Sequence, residues 1–116
     1  MRRDAATLLD ILDSARLVLR YVDGRTRGDL LEDVGLQDQV ARRFEIIGEA
    51  AGRVSDETRQ DLADIPWRSL VGLRNILIHD YGEVDYAKLW DIIHDDLPRL
   101  VAEVEPLVPP PSDFPE

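Results

Sequence analysis

Apolar residues recur every three or four positions over the first part of the chain. The stripe consists of Leu8, Ile11, Leu12, Ala15, Leu19 and Val22. This spacing places the side chains on one face of an α-helix, whereas a half-buried strand would need strict alternation. The pattern predicts a first helix from about Asp4 to Val22, with Gly24 at a plausible stop.

Two further helices are predicted next. Thr26 can cap a short helix that runs to about Val34, and Gly35 is placed to close it. A longer helix is expected from Leu36 to about Val54. Its apolar positions are Val40, Phe44, Ile47 and Ala51. The opposite face is charged, so this helix should bury one side only.

The following segment predicts a helix that is apolar nearly all round. Ser55 supplies the cap of a short helix that must end near Ile65, because proline disfavours a helical residue before it. Pro66 suits the first turn of the next helix, which should end between Asp80 and Gly82. Its apolar residues are Trp67, Leu70, Val71, Leu73, Ile76, Leu77 and Ile78. Such a helix belongs in a core or an interface.

A proline interrupts the apolar pattern of the last helix, which carries Leu89, Trp90, Ile93, Leu97, Val101 and Val104. Pro98 removes one backbone hydrogen bond, so a kink or a restart is expected there, with Asp95 or Asp96 as cap. From Pro106 onward the chain is rich in proline, which predicts an extended, mobile tail over 106–116. We therefore expect an all-α bundle of about four main helices plus short ones, occupying 1–105.

Composition narrows the class of protein. A chain of 116 residues is about one domain long, and it contains no cysteine for disulfides or thiolate chemistry. No apolar run approaches the roughly 20 residues needed to cross a bilayer, and the start lacks the pattern of a signal peptide. The expectation is a cytoplasmic protein without a membrane partner.

The net charge of −10 disfavours broad, non-specific binding of nucleic acid. Lys88 is the only lysine, and every other cationic side chain apart from histidine is arginine. Arginine can bind a phosphate through two parallel hydrogen bonds. Compositional bias of the genome explains most of these arginines better than function does, so only their local placement can indicate a functional role.

The most informative segment is Leu73 to Tyr81, where a helix otherwise committed to burial carries Arg74, Asn75 and His79. On an ideal helix Tyr81 falls near Arg74, whereas His79 lies about 140° away. Arg74 and His79 can therefore meet at one phosphate only if the helix frays near its end or if a second copy contributes its own pair. A two-fold interface would bring two arginines and two histidines into one cleft.

Such a cleft suits RNA cleavage without a metal ion. One histidine would take the proton of a ribose 2′-hydroxyl while another protonates the leaving oxygen, because imidazole titrates near neutral pH. Arginine would stabilise the charge that develops on the phosphate. A metal nuclease is disfavoured, since the sequence offers only His79 and His94, no cysteine and no obvious carboxylate cluster. No metal or other cofactor is expected.

Each residue also has a purely structural interpretation. Arg74 could be a buried arginine paired with a core carboxylate such as Glu49, and His79 could cap the end of its helix. Tyr81 could pack its ring beside that end, and Asn75 could be an interface amide. Arg42 and Arg53 form an ordinary charged helix face with Glu45 and Glu49. Alternatively, Arg42, Arg43 or Arg53 could guide RNA toward a cleft. Trp67 and Trp90 are expected to anchor the core, and His94 to lie on a polar face.

Several separate motifs resemble those of HepT proteins, which belong to the HEPN superfamily. They are Ile46-Ile47-Gly48-Glu49-Ala50, Ile65-Pro66-Trp67, Gly72-Leu73-Arg74-Asn75, His79-Asp80-Tyr81, and Asp95 with Leu97-Pro98. The similarity runs from about Arg3 to Leu100 and keeps the order of the motifs in that family. One departure is Gly82, where a larger residue often follows the tyrosine.

The resemblance implies a helical HEPN bundle that dimerises, with Arg74 and His79 as the catalytic pair of an Arg-x-x-x-x-His-x-Tyr motif. Asn75 matches the polar residue that often follows the arginine. The family is typically paired with a minimal nucleotidyltransferase antitoxin, MntA, which transfers AMP from ATP to the motif tyrosine. Tyr81 matches that position, where an adenylate would add negative charge and bulk beside His79.

Two functions follow from the resemblance and the residues together. The leading hypothesis is a toxin ribonuclease that acts on RNA, either tRNA or mRNA, and is neutralised by AMPylation of Tyr81. The alternative is a non-catalytic HEPN dimer that serves as partner or substrate-presenting subunit of a nucleotidyltransferase. A plain helical interaction module with a buried Arg74 is a third possibility.

Overall fold

The computed structural model describes residues 4–78, without the side chain of Ile78, and residues 84–108. Within these ranges the chain is helical and contains no strand, so the predicted all-α class is confirmed. The helices are α1 (Ala5–Val22), α2 (Arg27–Glu32), α3 (Val34–Arg53), α4 (Asp56–Asp61), α5 (Trp67–Val71), α6 (Leu73–Ile78), α7 (Tyr86–Asp95) and α8 (Leu97–Val104), followed by a 3-10 turn at Glu105–Leu107.

The core is built around the two long helices, α1 and α3. Their apolar stripes face each other, and α8 packs on the free side of α1 while α5 and α6 pack on α3. α2 covers α7, which leads into α8. The largest fully buried side chains include Leu8, Ile11, Phe44, Ile47 and Leu70. The stripes predicted from helical spacing are therefore the surfaces that form the core.

Asp4 ties the start of α1 to the start of α4. The side chain is almost wholly buried. Its carboxylate accepts hydrogen bonds from the Ser55 backbone N–H at 3.2 Å, the Ser55 hydroxyl at 2.7 Å and the Thr58 hydroxyl at 2.5 Å. The bonds from the Ser55 and Thr58 hydroxyls lower the pKa of Asp4 below its ordinary value. Because Ser55 follows α3, these bonds also show that α1 and α3 run antiparallel.

Gly48 lets α3 approach α5 and α6 closely. A Cβ atom at this position would lie 3.3 Å from the Leu70 carbonyl oxygen and 3.4 Å from the Leu73 Cβ. The Arg74 backbone nitrogen would be 3.6 Å away. Glycine at this position therefore sets the distance between α3 and the segment that carries Arg74.

Several predicted boundaries differ from those observed. Asp33 has extended backbone angles, and its carboxylate accepts the Leu36 N–H at 3.1 Å. Its own N–H bonds to the Asp29 carbonyl at 2.8 Å, so one aspartate ends α2 and begins α3. Gly35 consequently lies in the first turn of α3, and the prediction that it closes α2 is wrong.

The single helix predicted from Pro66 to about Asp80 is divided at Gly72. The Asn75 N–H bonds to the Gly72 carbonyl at 3.0 Å, three residues back, which is the tighter spacing of a 3-10 turn. α5 and α6 therefore follow one another with a turn between them. The described part of α6 extends to Ile78, and the predicted end at 80–82 lies outside the described residues.

At the C-terminal side, the predicted restart at Pro98 is confirmed. α7 ends at Asp95, Asp96 is the cap, and Pro98 lies in the first turn of α8. Burial and the neighbouring Asp95 raise the pKa of the half-buried Asp96. Pro106 lies in a 3-10 turn, where extended chain was predicted, because the turn tolerates proline at its start. Residues 109–116 of the predicted tail lie outside the described residues.

None of the described helices is long and apolar enough to cross a membrane.

Asp4→Asn tests the hydrogen-bonded carboxylate at the start of α1. At pH 7 we expect the free energy of unfolding of the variant to be about 1–2 kcal/mol lower, because an amide oxygen is a weaker acceptor for the donors of Ser55 and Thr58. The carboxyl group of Asp4 has a lower pKa in the folded chain than in the unfolded chain, so it stabilises the fold at pH values above its unfolded pKa. This stabilisation is lost as the pH falls through the folded pKa.

Urea unfolding of both proteins from pH 7 down to pH 2 should therefore show the difference shrinking in the acidic range. Asp10→Asn, on an exposed residue of the same helix, is the matched control and should change the stability little. A constant difference at every pH would contradict the assignment.

Gly48 and Gly52 form a matched pair on α3. A Cβ atom at Gly52 would meet nothing within 4 Å. Gly52→Ala should therefore raise the unfolding free energy by about 0.5–1 kcal/mol through helix propensity alone. Gly48→Val should lower it by about 1–3 kcal/mol, because the added methyl groups press on the backbone of α5.

Chemical denaturation of Gly48→Val and Gly52→Val compares the two sites with the same substitution. Equal stability of these two variants would show that the close approach at Gly48 is not a constraint.

Candidate active site

Arg74 is exposed on α6, between the buried residues Leu73 and Leu77. It lines a cleft of about 180 Å³ whose described walls also include Glu45, Glu49 and Leu77. Glu45 and Glu49 lie one turn apart on α3, so the cleft runs along the junction between α3 and α6. The guanidinium group is therefore presented at a concave surface that solvent reaches.

The packing of α6 on α3 determines the direction in which Arg74 points. Leu73 and Leu77 are buried on the side of α6 that faces α3. Gly48 allows the backbone of Arg74 to lie against α3, which leaves the long arginine side chain no room in the core. The cationic end must then emerge at the edge of the contact, beside Glu49.

The carboxylates of this cleft form no ion pair with Arg74. Glu45 pairs instead with Arg42 on the same helix, at 3.2 Å. No carboxylate of the described residues forms an ion pair with Arg74. A buried arginine paired with Glu49, one of the structural alternatives, is therefore not found in this chain.

Asn75 lies in a second cleft, on another side of α6. This cleft has a volume of about 310 Å³ and runs between α6 and α7. Its described walls are Ser69, Gly72, Asn75, Ile76, Lys88 and Ile92. Arg74 and Asn75 are thus neighbours in sequence that serve two different clefts, as expected for residues about 100° apart on a helix.

Two of the predicted site residues, His79 and Tyr81, lie outside the described residues. Whether these two residues come close to Arg74 therefore stays a prediction from the sequence. Among the arginines predicted to guide RNA, Arg42 lies beside the Arg74 cleft through its pair with Glu45. Arg43 is half-buried and Arg53 is exposed, and neither lines either of the two clefts.

The remaining aromatic and histidine residues have structural contacts. Trp67 is buried and donates its indole N–H to the Leu62 carbonyl at 3.0 Å, as expected for a core anchor. Trp90 is half-buried, and its ring lies 4.2 Å from the ring of His94, centre to centre. His94 is exposed, and its Nδ1 bonds to the Trp90 carbonyl at 2.8 Å. These contacts match the predicted polar-face position of His94.

Nothing in the sequence indicated the wall that Ser69 and Lys88 contribute to the second cleft. Lys88 carried a signal, because it is the only lysine, but nothing in the sequence placed it opposite Asn75.

Over residues 4–78 and 84–108, no three His, Asp or Glu side chains are grouped so that they could hold a metal ion.

Comparison with known proteins matches this chain to one family. The family described as Ribonuclease HepT-like matches residues 11–107. The match includes every helix that forms the two clefts, and the resemblance noted in the sequence is confirmed. A comparison with solved structures finds no match.

Similar chains occur in several organisms. A candidate RNase of Methanocaldococcus jannaschii, MJ1380, is 39% identical over 105 residues, covering 90% of this chain and 96% of the relative. A second protein of that organism, named as a gamma-glutamylcyclotransferase and candidate RNase, is 38% identical over 90% of this chain but only 47% of its own length. The "Probable ribonuclease HepT" of Thermococcus cleftensis is 34% identical, covering 86% of this chain and 91% of the relative.

The match over most of the chain agrees with the helical bundle and with the motif that surrounds Arg74. This chain therefore belongs to the HepT-like ribonuclease family.

Proposed function

We propose that the chain is a toxin ribonuclease that cleaves RNA without a metal ion, using Arg74 and His79. The observation that carries the proposal is the position of Arg74, which lies exposed in a cleft and forms no ion pair with the described carboxylates. Most arginines of a folded chain are exposed, so exposure alone does not indicate a role; what sets Arg74 apart is its place in a concave surface. Arg74 keeps its donors available for a phosphate.

The chemistry requires the neighbouring ribose as nucleophile. His79 takes the proton of the 2′-hydroxyl, and the 2′-oxygen attacks phosphorus while the bond to the 5′-oxygen breaks. A second imidazole, in its protonated form, donates a proton to that leaving oxygen. Arg74 stabilises the extra negative charge on the phosphate oxygens in the transition state. The products are a 2′,3′-cyclic phosphate and a free 5′-hydroxyl.

A dimer would supply the second imidazole. A straight continuation of α6 would direct a residue at position 79 to the side of Asn75, away from Arg74. Two copies related by a two-fold axis would place the arginine of one beside the histidine of the other. We therefore propose that the active form is a homodimer with a composite cleft.

Tyr81 is proposed as the position where the toxin is switched off. A minimal nucleotidyltransferase of the MntA type would transfer AMP from ATP to the phenolic oxygen, releasing pyrophosphate. The adenylate would bring a negative phosphate two residues from His79, where it competes with RNA for the same cations. The net charge of −10 fits this arrangement, since RNA would be held by a local site and not by the surface as a whole.

Arg74→Ala and His79→Ala should each reduce RNA cleavage about 100-fold or more, through loss of charge stabilisation and of proton transfer respectively. Arg74→Lys should restore only part of the activity, because an ammonium group cannot make the paired hydrogen bonds of a guanidinium. The measurement is cleavage of end-labelled cellular RNA, with the cyclic phosphate identified by mass.

Arg20→Ala is the matched control, since it removes an exposed arginine from α1, which lines neither cleft. Growth of cells that express each variant gives an independent measurement. Equal toxicity and cleavage by His79→Ala and the unmutated chain would overturn the catalytic assignment. Intact RNA together with tight binding of a nucleotidyltransferase would favour the non-catalytic alternative.

Mixing the two inactive variants tests the composite cleft. Refolded mixtures of Arg74→Ala and His79→Ala should cleave RNA faster than either variant alone, because a mixed dimer unites the arginine of one copy with the histidine of the other. The rate should stay well below that of the unmutated chain, because the second imidazole is missing. No recovery in mixtures shown to contain mixed dimers would contradict a site shared between copies.

Tyr81→Phe tests the switch. Co-expression with the neighbouring nucleotidyltransferase should add the mass of one or more adenylates to the unmutated chain and none to Tyr81→Phe. Tyr86→Phe, on α7, controls for modification of another tyrosine and should still gain the mass. An unchanged mass of the unmutated chain would overturn the proposed modification.

A further inference from the structure

The second cleft combines three kinds of surface. Lys88 contributes an ammonium group, Ser69 and Asn75 contribute a hydroxyl and an amide, and Ile76 with Ile92 forms an apolar wall. At about 310 Å³ its volume lies at the lower end of the range for small-molecule sites. A cation, neutral hydrogen-bonding groups and an apolar wall together suit one nucleotide, whose phosphate is charged and whose base is flat and apolar on its faces.

The charge of Lys88 is available to this cleft. No carboxylate of the described residues forms an ion pair with its ammonium group. The nearby Asp85 carboxylate accepts the backbone N–H of Lys88 at 3.0 Å, as the cap of α7. In a chain with a net charge of −10, the only lysine is therefore placed at a concave surface and left without a partner among the described residues.

The two clefts lie on different sides of the same helix. Arg74 lines the cleft toward α3, whereas Asn75 and Ile76 line the cleft toward α7. A helix with its side chains is about 10–12 Å across, so a single phosphate cannot contact both clefts at once. A strand that crosses α6 can do so, with one phosphate at Arg74 and another at Lys88.

We propose that the cleft of Ser69, Asn75 and Lys88 binds a nucleotide next to the cleaved bond, so that the substrate is an unpaired RNA strand drawn across α6. The inference rests on the ribonuclease function proposed above and specifies its substrate class. Base pairing would hold the flanking nucleotide in a stack, away from the apolar wall, whereas an unpaired loop lets the base turn into the cleft. Lys88 is a positioning residue in this scheme.

The test compares two kinds of RNA substrate that differ in length. One is a set of dinucleotides, which have a single phosphate, and the other is an unpaired RNA of about ten nucleotides and mixed sequence. For the unmutated chain, kcat/KM should be higher for the longer RNA. In Lys88→Ala this preference should fall about tenfold, mainly through KM, because a charged hydrogen bond to a flanking phosphate is lost.

Lys88→Arg should keep the preference, since it retains the charge, and Ser69→Ala should reduce it by a smaller factor. Arg20→Ala removes the same unit of charge from α1 and should keep the preference of the unmutated chain. Binding to His79→Ala, measured by fluorescence anisotropy at several salt concentrations, gives a second readout. Adding Lys88→Ala should make the slope of log K against log salt shallower by about 0.7, the value for one phosphate of a single strand.

The outcomes separate this inference from the proposed function. Cleavage by the unmutated chain with the same length preference in Lys88→Ala and Arg20→Ala overturns the nucleotide site and leaves the ribonuclease intact. An altered oligomeric state of Lys88→Ala that accounts for its lost cleavage also overturns it. If the unmutated chain cleaves neither RNA, the proposed function fails and the inference fails with it.

Discussion

The close contact between α3 and α6 at Gly48 is the constraint on which the site depends. With no side chain at this position, the backbone of Arg74 comes against α3, and Leu73 and Leu77 are buried in the same contact. A larger residue would force the helices apart, because cores are packed too densely to absorb the added volume. The exposed guanidinium group is thus a consequence of tight packing a few ångströms away.

Electrostatics in this protein is a matter of local placement. Its surface is acidic, which favours solubility and disfavours indiscriminate contact with nucleic acid. Within that surface, two of the described acidic groups near the clefts have other partners. Glu45 pairs with Arg42, and Asp85 caps α7, so neither carboxylate neutralises the cation beside it. Glu49 also lines the Arg74 cleft, so what the two concave sites share is a cation without an ion pair among the described residues, in a chain that is negative as a whole.

The arrangement around α6 also links architecture to substrate. A straight helix separates consecutive side chains by about 100°, so adjacent residues face different neighbours. Here one neighbour is α3 and the other is α7, and each pairing leaves a cleft. Two clefts on one helix fit the proposed RNA strand that passes over α6, because no single group on the substrate extends across the helix.

How much of the fold and of the candidate site could be predicted from the sequence depends on how far apart along the chain the interacting residues lie. The helical class, the cap at Ser55 and the restart at Pro98 were predicted correctly, because periodicity, capping and proline geometry act within a few residues. The motif of Arg74 was recognised by its resemblance to a known family, since local periodicity does not single it out. The role of Gly35 was predicted wrongly, since Asp33 offered a stronger local cap whose effect showed only in the folded backbone.

What only the tertiary structure decided involves residues far apart along the chain. The bonds of Asp4 to Ser55 and Thr58, the contact of Gly48 with Leu70, and the position of Lys88 opposite Asn75 have no periodic signature. The sequence by itself determined the helices and offered the candidate residues for RNA chemistry. Packing decided which of those residues share a cleft, because that depends on how closely the helices approach and on which side of each helix faces its neighbour.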